Sequence, residues 1–63
     1  MKLTNAEGQS VYYNIVTKHG LERHVILAVS GQKIIGRDKQ KTRSRTFAQE
    51  HQALTWLWRN GYR

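Results

Sequence analysis

Residues 10–30 read SVYYNIVTKHGLERHVILAVS, and this stretch decides the fold. Its two halves are rich in β-branched and aromatic residues, which favour strands. They flank His19-Gly20, where glycine accepts the positive φ that a tight turn requires. The sequence therefore predicts a β-hairpin with strands at residues 10–18 and 23–30.

The faces of this hairpin follow from the alternation of side chains along a strand. In the first strand the more apolar face is formed by Val11, Tyr13 and Ile15, so we expect Tyr12 and Asn14 to point away from the core. Both faces of the second strand are apolar. We expect the core to take Val25, Leu27 and Val29, and the open face of the sheet to take His24, Ile26 and, from the next strand, Ile35.

The remaining elements come from turn and capping signals. Gly31-Gln32 predicts a second turn, and residues 33–37 a third strand, so the sheet is expected to be an antiparallel meander with short connections. Residues 38–46 hold no apolar side chain and predict a loop or an exposed extension. Thr46 with Gln49 resembles a capping box at a helix start, and Gly61 suits the position just beyond the helix end.

The predicted helix has one apolar arc, which must cover the sheet. At 100° per residue this arc contains Phe47, Glu50, His51, Leu54, Leu57 and Trp58. Trp56 falls on the opposite side and is therefore expected on the outer surface. The fold class predicted is α+β: a three-stranded antiparallel sheet against one C-terminal helix, forming a single domain over residues 10–63.

Length and composition exclude several classes of protein. A chain of 63 residues has room for one domain with a thin core, and without cysteine it has neither disulfides nor thiolate–metal sites. Residues 1–9 lack periodicity and an apolar signal region, so we expect a flexible lead-in. No apolar run approaches the length of a membrane span, and a cytoplasmic location is the expectation.

The charge of the chain is large and uneven. Its eleven Lys and Arg against four Asp and Glu give +7 and favour anionic partners. Residues 33–45 contribute six basic side chains against Asp38, a net +5. All six occupy odd positions and would share one face of an extended chain that could follow phosphates: Lys33, Arg37, Lys39, Lys41, Arg43 and Arg45. The alternative interpretation is a solvated loop that keeps the protein soluble.

Catalysis and metal binding find little support. The three histidines have no cysteine to join them and few neighbouring carboxylates. There is no glycine-rich phosphate loop and no paired carboxylates at suggestive spacing. We therefore expect a protein that is not an enzyme and has no metal and no cofactor.

The order of three strands and a helix, with Ile35-Gly36-Arg37-Asp38-Lys39 before the helix, resembles the arm-type DNA-binding domain of phage and transposon tyrosine integrases. A comparable pattern occurs in AP2 domains and in the cell-division activator CedA. The resemblance implies major-groove binding by the outer sheet face, with Arg37, Lys39, Tyr12 and Asn14 at the matching positions. It also implies a stand-alone regulator or accessory factor from a phage or other mobile element. The basic segment before the helix is longer here than in those families.

Three partners remain open from the sequence. Double-stranded DNA is the first choice, read by Tyr12 and Asn14 on the sheet and held by the basic segment. The second is an acidic protein surface, such as a polymerase or nuclease, with Trp56 as the apolar anchor. The third is RNA, recognised by shape and the 2′-hydroxyl group.

Overall fold

The computed structural model describes residues 1–63 and contains six strands and one helix. In chain order these are β1 Lys2–Thr4, β2 Ser10–Lys18, β3 Leu21–Ala28, β4 Ile34–Ile35, β5 Lys41–Thr42, β6 Ser44–Phe47 and α1 Glu50–Arg59. An antiparallel sheet has the strand order β1-β2-β3-β6, and β4 pairs with β5 in a separate two-stranded sheet. The α+β class with one helix is confirmed, whereas the predicted number of strands was too small.

The β2–β3 hairpin closes at His19-Gly20, as predicted. Lys18 pairs with Leu21, and the two loop residues have φ of 52° and 76°. Two consecutive positive φ values are typical of the type I′ turn, whose twist matches that of the flanking strands. Both strands extend beyond their neighbours, because β1 stops opposite Tyr12 and β6 stops opposite His24. The end of the hairpin therefore projects as a two-stranded arm.

The core face of β3 is the opposite of the one we predicted. His24, Ile26 and Ala28 are buried, whereas Leu27 is 43% exposed and Val25 and Val29 are half-buried. The physical reason is the register of the hairpin, in which Val11 lies opposite Ala28 and Tyr13 opposite Ile26. Cross-strand partners share a face, so the apolar face of β2 selects the even-numbered residues of β3.

The third strand of the main sheet is also not the predicted one. Ile34 and Ile35 pair with Thr42 and Lys41 in the small β4–β5 hairpin, and β6 takes the place beside β3. Gly36 suits this hairpin because an added Cβ would lie 3.2 Å from both the Gln40 carbonyl oxygen and Thr42 Cγ2. Ile34 is buried in the core. The predicted strand at 33–37 is thus part of the β4–β5 hairpin, which we call the flap and which lies beside the main sheet.

The segment expected to lack regular structure contains β1. Leu3 pairs with Val11, and the following turn is held by Asn5 Oδ1, which accepts hydrogen bonds from the amides of Glu7 and Gln9 at 3.0 and 2.9 Å. At the other end of the chain, the Arg63 amide donates to the Thr4 carbonyl at 3.1 Å, and the Thr4 amide donates to the Arg63 carbonyl at 3.3 Å.

The helix begins later than predicted and ends where predicted. Its first residue is Glu50, and Gln49 at the N-cap makes no side-chain capping bond. The proposed capping box is wrong because Thr46 belongs to β6. At the C-terminal end Gly61 has φ 77°, and the Tyr62 amide donates to the Leu57 carbonyl at 3.0 Å. This is the expected left-handed helix stop.

The core lies between one face of the main sheet and the helix. Its buried apolar residues are Val11, Ile26, Ala28, Ile34, Ala53, Leu57 and Tyr62. The burial of Leu57 was predicted, but the two tryptophans are exchanged relative to the prediction. Trp56 is half-buried and stacks on Tyr62 with ring centroids 5.6 Å apart, whereas Trp58 is 70% exposed. Residue 62, beyond the helix, supplies the partner that turns Trp56 inward.

Candidate nucleic-acid interface

The sheet face opposite the helix is exposed and contains Tyr12 and Asn14, as predicted. By the strand register, Tyr12 lies beside Lys2 on one side and Leu27 on the other, and Asn14 lies beside Val25. We call this surface the outer sheet face. The strand register places on it the buried Ser10 together with Lys2, Thr4, Tyr12, Asn14, Val16, Lys18, Leu21, Arg23, Val25, Leu27, Ser44 and Thr46.

The outer sheet face is basic and has no carboxylate. It carries Lys2, Lys18 and Arg23, none of which was among the predicted site residues. The four acidic residues lie elsewhere: one each in the β1–β2 loop, on the helix side of β3, in the β4–β5 loop and in the first turn of α1. An anion approaching the outer sheet face therefore meets positive charge without local repulsion.

The same face is also partly apolar. Tyr12 is 40% exposed, and Val16, Leu21 and Leu27 are exposed to a similar degree.

His24 and Ile26, which we had predicted on the outer sheet face, point to the core instead. His24 Nδ1 lies 2.8 Å from the Tyr13 hydroxyl oxygen, in a stacked pair. Burial, and secondarily the charge of Glu50, raises the pKa of Tyr13 above its ordinary value.

The predicted basic strip is not one continuous surface. The chain turns back at Gly36–Gln40, where Lys39 has φ 65°, and bends again at Arg43. Lys33 and Lys41 line a cavity of about 270 Å³ that also contains Glu7. These reversals distribute the six basic residues over several parts of the surface, so the expectation of one shared face is wrong.

Arg43 and Arg45 lie near different surfaces of the protein. Arg43 is exposed and lines a cavity of about 290 Å³ with Leu27 and residues 28–32, at the edge of the outer sheet face. Arg45 pairs with Ile26 and is therefore on the helix side of the sheet. Its guanidinium carbon is 4.8 Å from the centre of the Phe47 ring, a cation–π distance.

Arg45 shares a second region with two other arginines. Arg45, Phe47 and Gln52 line both of two adjoining cavities. The first cavity, about 390 Å³, adds Arg59 and His51. The second, about 440 Å³, adds Arg37. We call this region, between β6, α1 and the β4–β5 loop, the arginine cleft. Sequence reasoning missed Arg59 because only the tertiary packing of α1 brings it to Arg45.

The tryptophan predicted as a protein anchor is not the exposed one. Trp56 is held against Tyr62, and the exposed indole belongs to Trp58, which lies one helical turn after the exposed Leu54. No group of three or more possible ligands among His, Cys, Asp and Glu is placed to hold a metal ion. The single helix, of ten residues, is too short and too polar to span a membrane.

No family model matches the sequence, and searches of curated proteins and of solved structures also found no match.

Proposed function

We propose that the protein binds duplex DNA through the outer sheet face, as a small regulator or accessory factor. The observation that carries the proposal is the absence of acidic side chains from this basic face. The outer sheet face presents Lys2, Lys18 and Arg23 and no carboxylate. Contacts between such side chains and phosphates release counterions, which supplies a large part of the affinity for DNA.

The hydrogen-bonding groups on this face support recognition of bases. Asn14 projects from the middle of β2, and the asparagine amide pairs with both N6 and N7 of adenine in the major groove. Tyr12 is its outward neighbour on the same strand and adds a hydroxyl group. Arg43 lies at the edge of the face, beside Leu27, where it would reach a phosphate that flanks the groove.

The test is a salt titration of binding to duplex DNA, single-stranded DNA and duplex RNA in parallel. We expect a preference for duplex DNA and an affinity that falls steeply with salt. Arg43→Ala should lower the slope of log K against log salt by about 0.9, the value for one phosphate contact. Equal affinity for the three nucleic acids, or an unchanged slope in Arg43→Ala, would contradict the assigned contact surface.

Recognition of bases is tested at Asn14. Asn14→Ala should cost about 1–3 kcal/mol on a preferred site selected from random duplexes and little on an average sequence. Thr17→Ala is the matched control, because residue 17 lies on the same strand but on its opposite face. If the two variants lose the same affinity, Asn14 does not read a base.

A second candidate function is binding to an acidic protein, and the apolar part of the outer sheet face favours it. Exposed Leu27, Val16 and Tyr12 would supply the apolar centre that protein interfaces need, with basic residues as the rim. A titration with poly-L-glutamate at matched ionic strength separates the two candidates. Binding as tight as that of duplex DNA would put the protein partner first.

A further inference from the structure

We propose that the arginine cleft is a second anion site, which binds a phosphate group on the side of the sheet opposite the outer sheet face. Three arginine residues line its two adjoining cavities: Arg37 from the β4–β5 loop, Arg45 from β6 and Arg59 from the last turn of α1. Thr46 is shared with the outer sheet face, but none of the residues to which DNA contacts are assigned above lines either cavity, so the site does not depend on those contacts.

The charge of the cleft is uncompensated. Neither cavity has an Asp or Glu among its lining residues. Arg23 is the arginine whose side chain makes a hydrogen bond within the protein: it donates to the Glu22 carbonyl oxygen at 3.1 Å. The side chains of the three cleft arginines make no hydrogen bond within the protein, and Arg37 and Arg59 are exposed, so a ligand would compete only with water for their donors. Planar guanidinium forks match the oxygen geometry of phosphate and bind it in a bidentate manner.

The cleft is also partly organised before any ligand arrives. Arg45 is half-buried, and its contact with the Phe47 ring orients the guanidinium without using its hydrogen-bond donors. Gln52 adds an amide within reach of both cavities, and Asn60 Nδ2 is fixed by donating to the Trp56 carbonyl at 2.8 Å. A binding group held in place loses less conformational entropy on binding, which favours affinity.

Phosphate chemistry has two sources here, a nucleic-acid backbone and a small phosphate compound. Inorganic pyrophosphate serves as the probe because it is small enough for either cavity and carries several negative charges. Trp56 lines the first cavity, so its fluorescence should report occupancy. The experiment uses Trp58→Phe as the parent, because this replacement of an exposed side chain leaves Trp56 as the single tryptophan.

The expected result is a saturable change in Trp56 emission on adding pyrophosphate at constant ionic strength. Arg59→Gln and Arg45→Gln should each weaken binding about tenfold, the effect of losing one charge-assisted contact, because both arginines line the cavity that Trp56 reports. Lys2→Gln and Lys18→Gln are the matched controls, since each removes one charge from the outer sheet face, and both should change binding less than twofold. Thermal unfolding of each variant checks that the fold is retained.

Three results would overturn the proposal. The first is the absence of a saturable change in Trp56 emission up to about 10 mM pyrophosphate, which is ten times the Kd of a weak, millimolar ligand. The second is the same loss in cleft and control variants, which would indicate a general charge effect. The third is equal binding of succinate, which would make the cleft a carboxylate site and favour an acidic protein partner.

A competition arm identifies the source of the phosphate. If a short DNA duplex displaces pyrophosphate, the cleft holds a backbone phosphate. If the duplex binds without displacing it, the ligand is a small phosphate compound. In either case Lys18→Gln should weaken binding of the duplex at the outer sheet face. Failure of the DNA proposal would therefore appear as unchanged duplex binding in Lys18→Gln, whereas failure of the cleft proposal would appear as unchanged pyrophosphate binding in Arg59→Gln.

Discussion

The register of β3 makes a sharp prediction about stability. Ile26 is fully buried on the core face, and Leu27, of equal side-chain volume, is 43% exposed on the outer sheet face. Ile26→Ala removes three buried carbon atoms and leaves a cavity, which costs about 2–5 kcal/mol. A chain of this length has a total stability of about 3–9 kcal/mol, at 0.05–0.15 kcal/mol per residue. The substitution should therefore remove at least about a fifth of the stability, and at the upper end of the range all of it.

The assay is urea unfolding, followed by tryptophan fluorescence and circular dichroism. Leu27→Ala is the control and should cost about 1 kcal/mol or less, because the side chain already contacts water. If Ile26→Ala leaves too little folded protein to measure, Ile26→Val should still cost about 0.5–1.5 kcal/mol. A larger loss at Leu27 than at Ile26, with unchanged m-values, would show that β3 has the opposite face in the core.

The other predictions concern the helix, the flap and the alkaline limit of stability. Leu57→Ala should cost about 2–4 kcal/mol and Gln52→Ala under about 0.5 in the same urea assay, and equal losses would contradict the helix orientation. Gly36→Ala should cost about 1 kcal/mol because its Cβ crowds the hairpin, and a neutral result would mean that the flap adjusts freely. Burial, and secondarily the charge of Glu7, raises the pKa of Tyr62 above its ordinary value of 10. The unfolded chain therefore loses the hydroxyl proton of this residue at lower pH than the folded chain, and stability falls as the pH rises above about 10. The midpoint of thermal unfolding should fall less between pH 9 and 11 in Tyr62→Phe, and an identical fall would exclude this group.

Local signals in the sequence predicted the parts of the fold that local geometry controls. The turn at His19-Gly20 and the helix stop at Gly61 both depend on positive φ, which few residue types adopt readily. The prediction that Val11 and Tyr13 face the core was also correct, whereas Ile15 on the same face is 55% exposed. The exposure of Tyr12 and Asn14 follows from the alternation along β2 alone.

The errors arose where two patterns were equally apolar or where the partner was distant in sequence. Both faces of β3 are apolar, so periodicity could not choose between Ile26 and Leu27. The two-residue turn does determine the register of the hairpin, since pairing of residues 18 and 21 places Val11 opposite Ala28. By contrast, nothing local shows that β6 rather than residues 33–37 completes the sheet, and the arginine cleft depends on that choice.

The two backbone hydrogen bonds between Thr4 and Arg63 have a consequence for how the protein folds. These residues are 59 positions apart (63 − 4), so the loop that their contact closes is nearly the whole chain. Such a contact has a high entropic cost and is expected to form after the β2–β3 hairpin, whose strands are neighbours in sequence. The first and last segments then depend on each other: release of β1 also frees the C-terminal turn and exposes the ring of Tyr62.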